Sequence, residues 1–186
     1  MTKRKFYRGT IVFIFLLIIS YFFQSGLYHL HTNKNISEEE KLVLLKEAGN
    51  ALPSLDVPVG SILIYNDSIL STGHNTVMMD SNVAGHAEIN AINNAIRKTG
   101  FAEFSRLNRE KLILVSTFEP CMMCRGAILE YNIRHVYFLK GKGILNWLKN
   151  DFRQFRYEWN KRKSAGDELQ DSLFQLHPKY KEQNNR

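Results

Sequence analysis

A histidine, a glutamate and two cysteines stand in this chain at spacings that a metal could use. His86-Ala87-Glu88 is followed, after the 31 residues Ile89 to Glu119, by Pro120-Cys121-Met122-Met123-Cys124, and the 186-residue sequence holds no other cysteine. One imidazole and two thiolates make three zinc ligands. Three protein ligands leave a fourth position to water, which is how catalytic zinc sites differ from closed structural ones. Water at such a position loses a proton near neutral pH, so the set suits a hydrolysis. Glu88 remains as a free carboxylate able to move protons. The plainer alternatives are weaker. A Cys-x-x-Cys alone could be a redox pair, a disulfide or half of a structural zinc site. The redox pair does not account for His86-Ala87-Glu88, and a closed site needs a fourth ligand, for which His74 is the candidate. Met122 and Met123 are read as packing, because thioether sulfur suits softer metals.

The elements that must carry these residues can be read from periodicity. Cys121 and Cys124 are i and i+3, so on a helix they share a face. Pro120 fits a first helical position, and the positive end of that helix favours thiolates. After Gly85, Ile89, Ile92 and Ile96 recur with Ala91 and Ala95 at helical spacing, which predicts a helix from His86 to near Gly100 with His86 and Glu88 in its first turn. Ser37-Glu38-Glu39-Glu40 reads as a capping box ahead of Leu42, Leu45, Ala48 and Leu52. Val59–Tyr65 and Ile69–Ser71 read as strands joined by a turn at Asn66-Asp67, and Leu112–Ser116 and Val136–Leu139 as short buried strands flanking the Cys helix. Strands alternating with helices predict a mixed sheet covered on both faces.

His-x-Glu followed by Pro-Cys-x-x-Cys is the pattern of zinc-dependent nucleobase deaminases, and the likeness extends further. Val57-Pro58-Val59-Gly60-Ser61-Ile62-Leu63-Ile64, Gly73-His74-Asn75, Ala84 to Ile92 and Ser116 to Ile128 resemble segments of bacterial tRNA adenosine deaminases and guanine deaminases. From roughly Ser37 to Leu139 the chain is identified as a member of the cytidine-deaminase superfamily. The resemblance implies a three-layer α/β/α sandwich around a mixed five-stranded sheet. It also implies one zinc on His86, Cys121 and Cys124, with Glu88 as catalytic proton shuttle. It places Asn75, Ala87 and Glu119 against the substrate. Asn75 reads alternatively as a turn residue after Gly73, and Glu119 as a first-turn carboxylate. Arg125 is either a surface residue or a phosphate contact.

The two ends set this chain apart. Lys3, Arg4, Lys5 and Arg8 precede the apolar run Ile11 to Ile19, extended by Tyr21, Phe22 and Phe23. With its weakly polar continuation the run reads as a membrane-spanning anchor, or as a signal segment. Positive-inside bias would leave the N-terminus cytoplasmic and the catalytic domain extracytoplasmic, which favours a small base or nucleoside over RNA. A domain facing the cytoplasm is the alternative. Three units are expected: residues 1–32 as basic N-terminus and anchor, 33–143 as zinc deaminase core, and 144–186 as helices completing the same domain. Residues 31–139 carry ten basic against twelve acidic residues, whereas 140–186 carry eleven against six. The core is therefore not basic, and only the tail could supply an RNA-binding patch. There, Leu145, Leu148, Phe152, Phe155 and Trp159 are spaced as one face of an amphipathic helix, with Lys149, Arg153, Arg156 and Lys161 opposite. It reads as a helix packed on the core, or one lying on anionic lipid, or an RNA contact. A second short helix, Asp167 to Leu176, should follow.

The expected function is hydrolytic release of ammonia from a nucleobase or nucleoside, by a homodimer whose partners are that small substrate and the membrane. The alternatives are a tRNA-specific adenosine deaminase, with tRNA as partner, and, of another class, an exported toxin-like deaminase or a non-catalytic zinc-binding module.

Overall fold

The computed structural model describes residues 11–20, 36–162 and 167–176. Residues 11–20 are helical (α1) and exposed. The elements that follow are α2 (Glu38–Asn50), β1 (Gly60–Tyr65), β2 (Ser68–His74), α3 (Ala87–Thr99), α4 (Phe101–Arg106), β3 (Leu112–Phe118), α5 (Met122–Glu130), β4 (His135–Lys140), α6 (Ile144–Asn160) and α7 (Asp167–Leu176).

The strands form one mixed sheet in the order β2-β1-β3-β4. β1 runs antiparallel to β2 and to β3, and β3 runs parallel to β4, with α5 in the connection. Among the described residues the sheet has four strands, where five were expected. The chain after β4 turns into the helix α6 instead of a further strand. Its apolar residues recur every three to four positions, the helical period, and not every second one.

Alternation along the strands builds two cores. Ile62 and Ile64 of β1 and Val115 of β3 face Leu44 of α2 on one side of the sheet. Leu63, Leu112 and Leu114 face Ala91, Ile92 and Ala95 of α3, Phe104 of α4 and Ile128 of α5 on the other. Each fully buried aliphatic side chain of this kind contributes about 1.5–3 kcal/mol. The helix starts obey local rules. Ser37 caps α2 with the reciprocal Glu40 contact of a capping box. Asn66 and Asp67, both at positive φ, form the two-residue loop of the β1–β2 hairpin, the geometry that matches strand twist. Gly73 lets β2 lie against α3, because a Cβ there would stand 2.4 Å from the Ala91 nitrogen and 2.7 Å from the Ala87 oxygen.

The expected membrane anchor is corrected. No helix among the described residues is long and apolar enough to cross a membrane. The rest of the expected N-terminal segment, residues 1–10 and 21–32, lies outside the described residues. The membrane partner and the extracytoplasmic placement both rested on a spanning helix, and both fall with it. At the other end α6 forms with the expected apolar face, yet Leu145, Leu148, Phe152, Phe155 and Trp159 are 50–78% exposed.

Candidate metal centre

Both halves of the metal motif sit at helix starts, but α3 begins one residue and α5 two residues later than the spacing suggested. His86 is the N-cap of α3 and Cys121 the N-cap of α5. Both have extended backbone, and neither side chain makes a capping hydrogen bond. A capping Ser or Asp would turn its side chain back onto the helix N–H groups. Here both side chains instead reach one point. Pro120 precedes the N-cap, where it restrains Glu119 to extended backbone. Cys124, fully buried, lies one turn into α5 and completes the set.

The His86 Nδ1 atom is 3.4 Å from Cys121 Sγ and 3.5 Å from Cys124 Sγ, and the two sulfurs are 3.5 Å apart. These are the described residues whose ligand atoms cluster as a metal site requires. Tetrahedral zinc with bonds of about 2.0–2.3 Å sets its ligand atoms about 3.3–3.8 Å apart. The nearly equilateral triangle of one nitrogen and two sulfurs therefore fits zinc, with one tetrahedral corner left over. His74, the candidate fourth ligand, is elsewhere: its Nδ1 lies 3.1 Å from Glu47 Oε2 on α2.

The electrostatics suit that ion. The hydrogen bond from the Cys124 thiol, with the backbone N–H groups of Cys124 and Met123 and with His86, outweighs burial and lowers the Cys121 thiol to about 4. Giving that hydrogen bond, together with burial and the neighbouring Glu88 carboxylate, holds Cys124 above the ordinary thiol range. The pair thus keeps one proton that a metal would displace. Glu88 is 4% exposed. Burial pushes its carboxyl above the usual value, against the pull of its own backbone N–H and of a hydrogen bond with Cys124.

Asn75 follows the last residue of β2 and is 7% exposed. Its backbone N–H donates to the Val59 carbonyl and its Oδ1 lies 3.4 Å from the Val77 nitrogen. Ala87 is fully buried between His86 and Glu88. Glu119 is occupied with the chain after β4: its Oε2 accepts the Lys142 backbone N–H at 2.6 Å, and its own N–H donates to the Lys140 carbonyl. Lys142 also lies over the Phe118 ring. Arg125 is exposed on α5.

Two groups escaped the sequence reading. Asp56, buried after α2, accepts the backbone N–H groups of Met78 and Met79 and the Ser54 hydroxyl. Burial pushes its carboxyl up, and these hydrogen bonds more than offset it, so it ends below its ordinary value. Asn90 ties β2 to the loop before His86. The available signal was an amide one turn past His86, interrupting a run of Ile and Ala.

Residues 36–140 match the family described as the cytidine and deoxycytidylate deaminase zinc-binding region. The chain belongs to this family. Among curated relatives, the tRNA-specific adenosine deaminase of Buchnera aphidicola subsp. Schizaphis graminum is 34% identical over 110 residues, covering 59% of this chain and 68% of that enzyme. A solved structure from studies of A-to-I editing by tRNA:A34 deaminases superposes with a TM-score of 0.51 at 29% identity, covering 57% of this chain and 73% of that one. Guanine deaminase from Bacillus subtilis superposes with a TM-score of 0.51, covering 70% and 81%. At 23% identity the last likeness shows the fold alone. The family member described here is a zinc-binding deaminase of the nucleobase and nucleoside class.

Proposed function

We propose that this deaminase hydrolyses the exocyclic amine of a purine, with adenosine in RNA as its substrate and inosine as its product. The observation that carries the reading is the open ligand triangle of His86, Cys121 and Cys124 with the buried Glu88 carboxyl against it. Zinc, when held by that triangle, would supply a water acidic enough to give up its proton near neutral pH. Glu88 would pass that first proton to the ring nitrogen beside the amine-bearing carbon as the C–O bond forms there, then take the second proton from the new hydroxyl and give it to the amine as the C–N bond breaks. Water and the exocyclic amine would thus become a ring carbonyl and free ammonia. Burial raises the Glu88 carboxyl above its ordinary value, which eases the return of a proton that these steps demand of it. Asn75, at the end of β2, would hydrogen-bond the base. Ala87 would offer its backbone to the substrate, and Glu119, whose Oε2 accepts the Lys142 backbone N–H, would be a further contact.

The choice of adenosine in RNA draws on the relatives, whose name is tRNA-specific adenosine deaminase. The expected extracytoplasmic placement, which disfavoured RNA, fell with the spanning helix. The test is ammonia release by the zinc-loaded full chain from guanine, adenine, cytosine, their nucleosides and an adenosine-containing anticodon stem-loop, with Glu88→Ala as blank. Release from the stem-loop alone is expected. Release from a free base alone would replace RNA by that base. Release from none, with zinc bound, would favour the non-catalytic module.

A further inference from the structure

We infer that Asn90 is a positioning residue for the reaction, setting the base-contacting Asn75 and the metal ligand His86 from a single carboxamide. This rests on the reading of Asn75 given above. The loop from Asn75 to Gly85 starts at the one residue and ends beside the other. Asn90, one turn into α3, donates from Nδ2 to the His74 carbonyl at 2.8 Å and to Thr76 Oγ1 at 3.0 Å, and approaches the Gly85 carbonyl at 3.4 Å. His74 directly precedes Asn75, Thr76 follows it, and Gly85 directly precedes His86. Two backbone carbonyls facing one atom of the amide require that atom to be the NH2 group, so the donor role is fixed by its partners.

The surroundings leave this amide little room to shift. The Asn90 backbone N–H donates to the His86 carbonyl, and the Thr76 N–H donates to the Gly85 carbonyl at 2.7 Å, closing the loop across its neck. A Cβ at Gly85 would stand 2.8 Å from Thr76 Oγ1, so the neck is also tightly packed. From the opposite side of the sheet, Glu47 accepts the Thr72 hydroxyl and meets the His74 ring. The end of β2 is thus gripped by α2 through the His74 ring and by α3 through its carbonyl. Asn90 thus holds the His74 carbonyl before Asn75 and the Thr76 hydroxyl after it. A misplacement of about 1 Å at a reacting group costs about 100-fold in rate, so the clamp has catalytic value beyond its hydrogen bonds.

The test is a double-mutant cycle on the zinc-loaded full chain. It joins Asn90→Ala to Asn75→Ala, with Asn90→Asp as a second variant that keeps the shape and removes the donor. Zinc content and amide exchange at Asn75 and Thr76 are measured in parallel. Asn90→Ala is expected to keep zinc, to lower kcat/KM about 10- to 100-fold mainly through KM, and to quicken exchange at both amides. In the Asn75→Ala background the same change should cost clearly less, the remainder being what Asn90 contributes through the chain before His86. A full, additive loss in that background overturns the inference, as does unchanged exchange in both Asn90 variants. If Asn75→Ala is itself silent while exchange quickens, the reading of Asn75 as base contact has failed, and the inference with it. If Asn75→Ala is harmful and exchange is unmoved, the inference alone has failed.

Discussion

Glu88 carries two opposing demands. In the proposed reaction it would act beside the metal out of bulk water, and burial raises the free energy of its charged form. A carboxyl raised in the folded state favours folding below its unfolded pKa, and that contribution is lost as pH rises through the folded value. Glu88→Gln is therefore expected to stabilise the metal-free protein at neutral pH, with the gain shrinking toward acid, as urea titrations at a series of pH values would record. The same variant should bind zinc normally and lose turnover by about 100- to 10,000-fold, the usual worth of a positioned proton shuttle. A zinc-loaded Glu88→Gln protein with undiminished turnover would remove Glu88 from the chemistry. At this scale the sequence was informative where residue type dictates chemistry. His86, Cys121, Cys124 and Glu88 come together as their spacing predicted. It was silent where a side chain works through backbone: neither the carbonyls that Asn90 holds nor the N–H groups that Asp56 caps leave any mark on residue type.

At the scale of elements, the site depends on close approach between β2 and α3, and Gly73 permits it. Gly73→Ala would drive a Cβ into the α3 backbone, and should cost about 2–4 kcal/mol. Gly126, in the exposed middle of α5 with nothing within 4 Å of an added Cβ, is the matched control. Gly126→Ala should gain about 0.5–1 kcal/mol. Equal midpoints for the two variants in chemical denaturation would refute the packing argument. The capping box at Ser37, the Asn66-Asp67 turn and the helix ending at Gly100 were legible because each is a local rule. The length of β2 was not. The expected strand ends at Ser71, and Thr72, Gly73 and His74 continue β2 without apolar alternation, the Thr72 hydroxyl being spent on Glu47. The fifth strand was expected by resemblance, and the helical period of residues 144–160 prevailed locally.

For the whole molecule, zinc is the joint between two helices that reach it from different parts of the chain. Removing it with a chelator should lower the melting temperature, and re-adding it should restore it. A ligand at 1,000 times its Kd stabilises a fold by about 4 kcal/mol, so the shift should be several degrees and should scale with free zinc. An unchanged melting temperature on complete removal would mean that the protein frame alone sets the triangle. The spanning anchor expected from the N-terminal run is not met by any helix among the described residues; hydropathy reports the preference of residues for an apolar phase and not the structure that carries them. The hairpin turn has one more consequence, which concerns time. β1 finds β2 across two residues, Asn66 and Asp67, but pairs with β3 only across separations such as that of Ser61 from Ser116, 55 positions on. Closing the longer loop costs entropy before any pairing repays it. The strand that leads to Asn75 can therefore take shape early, while Cys121, 35 positions from His86, arrives only after β3 has docked. The end of β2 that carries Asn75 can thus form before the chain can hold a metal, and capture of zinc would be a late event in folding.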